Sequence, residues 1–416
     1  MRVIARRDMN VCIVCLVAVL SAVSAVSHAG EWRGNVAAEY RWFVNDGAYA
    51  GQQDSYSSIA FEPEYIHDWN NGYDLFTFKA FYRQDQHDDE RTHGDIRELS
   101  YLHAGDDWEV LVGIGKVFWG VTESIHLVDI INQSDTVENL DGEDKLGQPM
   151  IQYTLLRDWG VLSGFVLPGF RERTFPGMEG RPRFASVVDT DNPVYEDDDE
   201  DRHIDFAIHY SHTLGDWDLE LSHFHGTSRD PRLQITPVSM TAVSVQPVYD
   251  IIDQTGLLLQ ATIGDWLWKL EAIHRSGQGE SFSAAAGGYE YTFVGVFDSD
   301  MDIGLIMEYL WDERDTSFAF PTTMSPVVVN TATFANDLVV GARLTLNDAQ
   351  STEVLASMIG NLEGDGLSYN IEASRRIGDD FTLSLEARGV SDLEPASSLA
   401  QLAEDNRVSL ELAWFF

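Results

Sequence analysis

Cysteine, basic residues and long apolar runs are all scarce in this chain. Its 416 residues contain two cysteines, Cys12 and Cys15, and both lie close to the N-terminus. No disulfide framework can therefore form in the rest of the chain. Only 27 lysines and arginines oppose 68 aspartates and glutamates, which gives a formal net charge of −41. Because such a chain repels phosphate, nucleic acid is excluded as a partner.

The N-terminus has the pattern of a secretory signal peptide. Three arginines, Arg2, Arg6 and Arg7, precede an apolar run over residues 11–26. The tripeptide Ser27-His28-Ala29 follows and has a small residue at each outer position, as a cleavage site requires. We predict that residues 1–29 are removed on export and that residues 30–416 form one domain.

The exported part contains no stretch of the roughly 18 consecutive apolar residues that a membrane-spanning helix needs. If it is a membrane protein, a closed β-barrel is the fold that satisfies its backbone within lipid. The C-terminus favours this fold, because its apolar residues alternate with polar or small ones as in a strand with one apolar face. The alternating residues are Val408, Leu410, Leu412, Trp414 and Phe416.

A short turn motif recurs along the chain and separates the predicted strands. It combines Gly, Asn and Asp, which tolerate the positive φ of tight strand reversals, and an aromatic residue usually follows. Aromatic residues at such positions suit the girdle of a membrane barrel. The turns lie at residues 70–73, 105–108, 157–159, 215–217, 264–266, 298–300, 347–348 and 378–381.

These turns alternate with longer polar loops, as in barrels with short periplasmic turns and long extracellular loops. The sequence therefore predicts an all-β protein, a transmembrane antiparallel up-and-down β-barrel of about 18 strands. Sixteen strands are the alternative, because residues 150–167 alternate weakly. A lumen of this size is wide enough for an aqueous channel unless something fills it.

Residues 119–148 interrupt the strand pattern with about 30 residues, which is far longer than an ordinary connection. The stretch is acidic, yet it carries apolar residues between Ile125 and Ile131. We interpret it as the third extracellular loop, folded into the lumen. Its carboxylates would form the acidic side of a pore constriction: Glu123, Asp129, Asp135 and Glu138.

The next long loop supplies the opposite charge. Four arginines in it would form the basic side of the constriction: Arg171, Arg173, Arg181 and Arg183. Facing charges of this kind create a transverse field that sorts solutes by charge. The alternative is that both loops are solvated and that their charges pair at the rim.

Other polar clusters give weaker indications of chemistry. The acidic run 197–201 could bind divalent cations, but such runs are usually solvated. Asp205, His209 and Ser211 share one face of a predicted strand, where the serine and histidine would lie roughly 6–7 Å apart. That separation is too large for a Ser-His-acid triad. We expect no metal site, no cofactor and no catalytic residues.

The chain resembles bacterial outer-membrane β-barrels of the porin type in its signal peptide, its turns and its last strand. Trp414 and Phe416 match the C-terminal assembly signal of such barrels. More narrowly, Trp119-Gly120, Glu123, Asn132 and Asp135 are similar to a Trp-Gly…Glu…Asn-x-x-Asp pattern in a group of proteobacterial porin-like proteins. The resemblance implies a barrel with a loop held near the lumen, and it implies no particular substrate.

The sequence thus predicts a porin-like channel in the outer membrane of a Gram-negative cell, for passive diffusion of small polar or cationic solutes. Expected partners are outer-membrane lipid, lipopolysaccharide, the barrel assembly machinery and, as an option, further copies of the chain. Two alternatives stay open. One is a barrel plugged by the loop 119–148 that acts as a receptor or structural partner in the envelope, and the other is an outer-membrane hydrolase.

Overall fold

The computed structural model describes residues 30–239, 242–314, 316, 325–330, 332–393 and 397–416. The predicted signal peptide, residues 1–29, lies outside this part of the chain, and so does part of the long loop 313–335. None of the helices in the described ranges is long and apolar enough to cross a membrane.

Within these ranges, eighteen strands form one closed antiparallel sheet. The prediction of about 18 strands is confirmed over the alternative of 16. The barrel strands are β1 (Glu31–Phe43), β2 (Ser55–Trp69), β3 (Asp74–Asp85), β4 (His93–Ala104), β5 (Trp108–Gly115), β6 (Gln148–Arg157), β7 (Gly160–Pro168), β9 (Ile204–Leu214), β10 (Trp217–Thr227), β13 (Ile251–Ile263), β14 (Trp266–Ser276), β15 (Phe282–Phe293), β16 (Asp302–Asp312), β18 (Asn336–Thr345), β19 (Glu353–Asn361), β20 (Leu367–Ile377), β21 (Phe381–Ser391) and β22 (Arg407–Phe415).

The first and last strands close the barrel by pairing with each other. The backbone N–H of Gly34 donates to the carbonyl of Phe416, and the N–H of Phe416 donates to the carbonyl of Gly34, both at 3.1 Å. Every predicted tight turn joins two neighbouring strands of the barrel. At the first of them, Asn70 and Asn71 have φ of 54° and 57°, which explains the preference for Asn there.

The outer surface of the barrel is apolar, as a barrel that crosses a membrane requires. Side chains that point outward from β1 include Tyr40 and Trp42, which are 48% and 47% exposed. Trp217 and Trp266 are exposed at the turn end of their strands, and Trp311 is exposed near the loop end. Aromatic residues therefore mark both rims of the apolar band.

A second, smaller sheet forms outside the barrel from three of the long loops. It consists of β8 (Val194–Tyr195), β11 (Arg232–Pro237), β12 (Val243–Tyr249) and β17 (Val327–Val329). Val188, Ile235 and Val245 form its buried core. The sequence predicts polar loops for these segments, so the sheet is a departure from that prediction.

Candidate functional site

The predicted loop 119–148 corresponds to residues 116–147, which connect β5 to β6. This loop lies inside the barrel and is anchored to the wall through its backbone. The buried carboxylate of Glu271 on β14 accepts hydrogen bonds from the N–H groups of Val121 and Thr122 at 2.6 and 3.0 Å. Glu308 on β16 accepts from the N–H groups of Glu123 and Ser124 at 2.8 and 3.1 Å. A buried carboxylate needs hydrogen-bond donors. These bonds therefore satisfy the two carboxylates of the wall and also fix the position of the loop.

Apolar residues of the loop seal it against the same side of the barrel. Ile130 and Ile131 pack in a buried cluster with Phe165 on β7 and Phe224 on β10. Val128 joins a second cluster with residues of β13, β14 and β15. At these two clusters the loop and the wall therefore form apolar contacts, and the carboxylates of Glu271 and Glu308 lie in the same part of the wall.

The second half of the loop is held by arginines from β3 and β4. Arg83 forms an ion pair with Glu138 at 2.8 Å, and Arg97 forms one with Asp135 at 2.7 Å. All four side chains are buried. Burying charges is costly unless each finds a partner, so these pairs fix the position of the loop rather than present free charge to a solute.

The loop also reaches the opposite wall. Asp141 accepts a hydrogen bond from Arg388 on β21 at 2.7 Å. Asn139 accepts one from Arg407 on β22 at 3.0 Å. The chain segment thus crosses the barrel from β14 and β16 to β21 and β22.

The residues of the Trp-Gly…Glu…Asn-x-x-Asp pattern shape the loop itself. Asp129 accepts from the backbone N–H groups of Trp119 and Gly120 at 2.7 and 3.0 Å. Asn132 accepts from the N–H of Val117 and donates to the carbonyls of Gly115 and Leu146. These bonds tie the two ends of the loop together at the wall.

The predicted acidic side of the constriction occupies two kinds of position. Asp135 and Glu138 are buried in the ion pairs described above, and Asp129 binds backbone N–H groups. Glu123 is the one of the four whose side chain lines open space on both sides of the loop. It pairs with Arg343 on β18 at 2.6 Å.

The four predicted basic residues have partners other than these carboxylates. Arg171 pairs with Asp95, Arg173 with Asp230, and Arg181 with Asp405. Arg183 donates to carbonyl groups of its own loop. In the described part of the chain, none of the four forms an ion pair with Glu123, Asp129, Asp135 or Glu138.

The described residues line a cavity in the lumen on each side of the loop 116–147. The cavity toward the tight turns has a volume of about 520 Å³, and the cavity toward the long loops has a volume of about 750 Å³. Three residues line both of them: Glu123, Leu355 and Glu372. This junction, which the sequence did not indicate, is the candidate constriction.

The two cavities differ in charge. Nine carboxylates and three arginines line the cavity on the turn side. The cavity on the loop side is close to balance and includes a cluster in which Arg173, Arg275 and Arg314 surround Asp230 at 2.8, 3.8 and 3.9 Å. The lining of the lumen therefore changes from mixed charge on the loop side to negative charge on the turn side.

Local environment shifts the protonation of several loop residues. The position of Asp144 inside the barrel, where protein surrounds the cavity that it lines, and the nearby carboxylates of Glu138 and Asp141 raise its pKa to about 7. The carboxylates of Glu143 and Glu271 raise the pKa of His126 to about 10, so this ring is cationic at neutral pH. Burial opposes ionisation of Asp135, but His93 and Arg97 outweigh it and hold the pKa of Asp135 below its usual value.

Comparisons with known proteins find likeness in structure alone. No protein-family profile matches the chain. No curated protein matches it either. Among solved structures, a double mutant of the Rh. blastica porin has a TM-score of 0.43 at 12% identity and covers 93% of this chain and 100% of its own. A triple mutant of the Rhodopseudomonas blastica porin has a TM-score of 0.43 at 11% identity with the same coverage.

The residues considered for a hydrolase have separate partners. Asp205 pairs with Arg229 at 2.7 Å and accepts a hydrogen bond from the N–H of Thr227. His209 lies 2.8 Å from Glu220 and stacks on Trp119 with ring centroids 4.8 Å apart. The geometry thus ties Asp205 and His209 to different groups of the wall. The described residues also contain no group of three or more His, Cys, Asp or Glu that could hold a metal ion.

The two residues of the predicted assembly signal lie at the barrel seam. Trp414 on β22 is paired with Val36 on β1. The ring of Phe416 stacks on Phe61 with centroids 6.3 Å apart and lies 5.4 Å from the ring of Trp414. Their role in assembly stays a prediction.

Proposed function

We propose that the protein is an outer-membrane channel for passive diffusion of small polar or cationic solutes, narrowed by the loop 119–148. The observation that carries this proposal is the pair of cavities that meet at Glu123, Leu355 and Glu372. They leave polar, solvent-accessible space along the lumen next to β18–β22. A lumen filled by the loop would have no such space.

The preference for cations rests on the side chains that line the turn-side cavity. Glu372 and Glu353 are 44% and 40% exposed there, so they can meet a passing ion. Screening at physiological salt acts within about 8 Å, so charges on the outer loops matter little and charges at the narrowest point dominate. Glu123 and Glu372 are therefore the carboxylates that we propose for ion selection. Each is in an ion pair, Glu123 with Arg343 at 2.6 Å and Glu372 with Arg388 at 2.9 Å.

Single-channel current through the refolded protein in a planar bilayer, with a salt gradient, tests this function. We expect steady conductance steps with a cation-selective reversal potential. Glu372→Gln should lower the cation-to-anion permeability ratio several-fold, because it removes the most exposed charge at the junction. Glu363→Gln makes the same charge change in an outer loop and should leave the ratio as it is. A folded barrel without current, or a ratio that E372Q leaves unchanged, would contradict the proposal.

A second candidate function is a plugged barrel that serves as a receptor or structural partner in the envelope. The contacts of the loop with both walls favour it, since Glu271 and Glu308 hold one side and Arg388 and Arg407 hold the other. Current separates the two candidates. A barrel that is folded by circular dichroism and passes no ions would support the plug.

A further inference from the structure

Polar residues form a patch on the outer surface of the barrel, where the remaining face is apolar. Strand pairing places His223, Thr255 and His274 in one row across β10, β13 and β14. His225, Asp253 and Ser276 form the next row toward the long loops. Ser283 on β15 lies beside His274. We call these seven residues the histidine patch.

The side chains of the patch point away from the lumen. Their neighbours along the strands, Phe224, Gln254 and Arg275, are buried inside the barrel. Because successive residues of a strand face opposite sides, the patch residues face outward. The side chains of His223 and Asp253 are 48% and 53% exposed.

Hydrogen bonds within the patch satisfy only part of its polar groups. Nδ1 of His223 lies 3.0 Å from Oγ1 of Thr255, and Nδ1 of His225 lies 3.0 Å from Oδ1 of Asp253. Nδ1 of His274 lies 3.1 Å from Oγ of Ser283. The Nε2 atoms of His225 and His274 have no hydrogen-bond partner among the described residues. At the rim of the apolar band a partner must come from headgroups, water or another protein, because lipid tails supply none.

The strands on either side show what this level of the barrel otherwise presents. On β9, Ile204 and Phe206 are each 49% exposed, and on β16 Tyr309 and Trp311 are 43% and 41% exposed. The patch therefore interrupts a continuous row of large apolar and aromatic side chains. The other outward ionisable side chains of the described strands, such as His67 and His103, lie near the tight turns.

We propose that the histidine patch is an interface with a second copy of this chain. It contains hydrogen-bond donors and a carboxylate side by side, so two copies related by a two-fold axis near Thr255 would bring histidines of one against the partner's Asp253. Such a contact is self-complementary, as an isologous dimer requires. The phosphates of lipopolysaccharide fit less well, because the patch has no lysine or arginine and includes Asp253. This inference does not depend on whether the barrel conducts ions.

Mass measurement of the mature protein in mild detergent and in lipid nanodiscs tests the interface. We expect a dimer for the natural sequence and a monomer for the variant His223→Leu/Asp253→Leu/His274→Leu. The variant His67→Leu/Asp74→Leu/His103→Leu makes the same set of changes on the outward face of β2–β4 and should remain dimeric. A monomeric natural protein, or a dimer that persists in the patch variant, would overturn the proposal.

Cross-linking provides a measurement that needs no disruptive substitution. The exported chain has no cysteine, so Thr255→Cys places a single thiol at the centre of the patch and Ala38→Cys places one on the outward face of β1. A short bis-maleimide should join two T255C chains and leave A38C chains single. Equal cross-linking of T255C and A38C would count against a second copy as the occupant, and so would a cross-link from T255C to a different envelope protein. In the mass measurement, a patch variant that loses bound lipopolysaccharide without a change of oligomeric state would also count against it.

Discussion

At the scale of single residues, acidic side chains divide into two groups with different roles. Glu271 and Glu308 are buried and accept hydrogen bonds from backbone N–H groups, so their carboxylates hold the loop in place. Glu372 and Asp144 face open lumen. The formal charge of −41 therefore overstates the potential that a solute meets in the lumen.

Asp144 is the residue from which we expect a pH dependence of the proposed ion selection. Its pKa of about 7 lies above the ordinary value, so the side chain is neutral well below pH 7 and negative well above it. We expect cation selectivity to rise between about pH 5.5 and 8.5 and Asp144→Asn to remove most of that rise, as reversal potentials would measure. Glu138, Asp141, Asp135 and Arg97 also act on Asp144.

The histidine of the same loop serves as the control for this pH effect. With a pKa of about 10, His126 stays protonated throughout the range and contributes no change. His126→Gln should therefore shift selectivity by the same amount at both ends of the range. If the pH response of selectivity persists in D144N, a group other than Asp144 is responsible for it.

The sequence alone could indicate which residues carry charge but not which of them are buried and which reach the open lumen. Asp135 and Glu138 lie in the inserted loop, yet their partners Arg97 and Arg83 come from strands far away in the chain. Glu372 was missed because nothing near it distinguishes it from other inward carboxylates. Its role at the junction depends on the path of the loop, which tertiary contacts determine.

At the scale of elements, the apolar side of the loop decides whether it stays against the wall. Ile131 is 1% exposed within the cluster that includes Phe165 and Phe224. Ile131→Ala should destabilise the docked loop by about 2–5 kcal/mol, the usual cost of such a core truncation. Faster hydrogen exchange at residues 119–131 would show that the loop is destabilised. A larger conductance, or one that fluctuates more, would show the same.

Leu140→Ala is the matched change in the same loop. Its side chain is 41% exposed and belongs to none of the buried clusters, so exchange and conductance should stay near those of the natural protein. Equal effects of the two substitutions would mean that the clusters do not hold the loop.

The same docking explains where strand prediction was weakest. β6 and β7 alternate poorly because their inward residues, Met150, Phe165 and Leu167, are apolar and pack against the loop. The tight turns, by contrast, could be placed from Gly, Asn and Asp alone, since backbone conformation selects those residues locally. The outer sheet was missed because its four strands come from three separate loops and have two to seven residues each.

At the scale of the whole molecule, the seam between β1 and β22 gives the C-terminal residues a double role. The backbone of Phe416 bonds to Gly34, whereas its ring and that of Trp414 lie on the outer face. Trp414→Ala/Phe416→Ala keeps the backbone bonds, so the folded barrel should melt near the temperature of the natural protein. If the rings are read during assembly, outer-membrane yield should fall several-fold by fractionation and heat-modifiable gel mobility.

Trp311→Ala, an outward tryptophan on β16, controls for the loss of an aromatic residue at the lipid boundary. It should not reduce yield to the same degree. An unchanged yield for the Trp414 and Phe416 variant would leave the C-terminal strand with a purely structural role.

The outer sheet has a consequence for how this surface can vary over evolution. Strands β8, β11, β12 and β17 come from three loops. β11 and β12 belong to one loop and pair with each other, while β11 also pairs with β17 and β12 with β8 from the other two loops. A change of length in one of these loops would shift the register of its partner in another. The three loops would therefore have to diversify together, even though surface loops of a barrel are usually free to change one at a time.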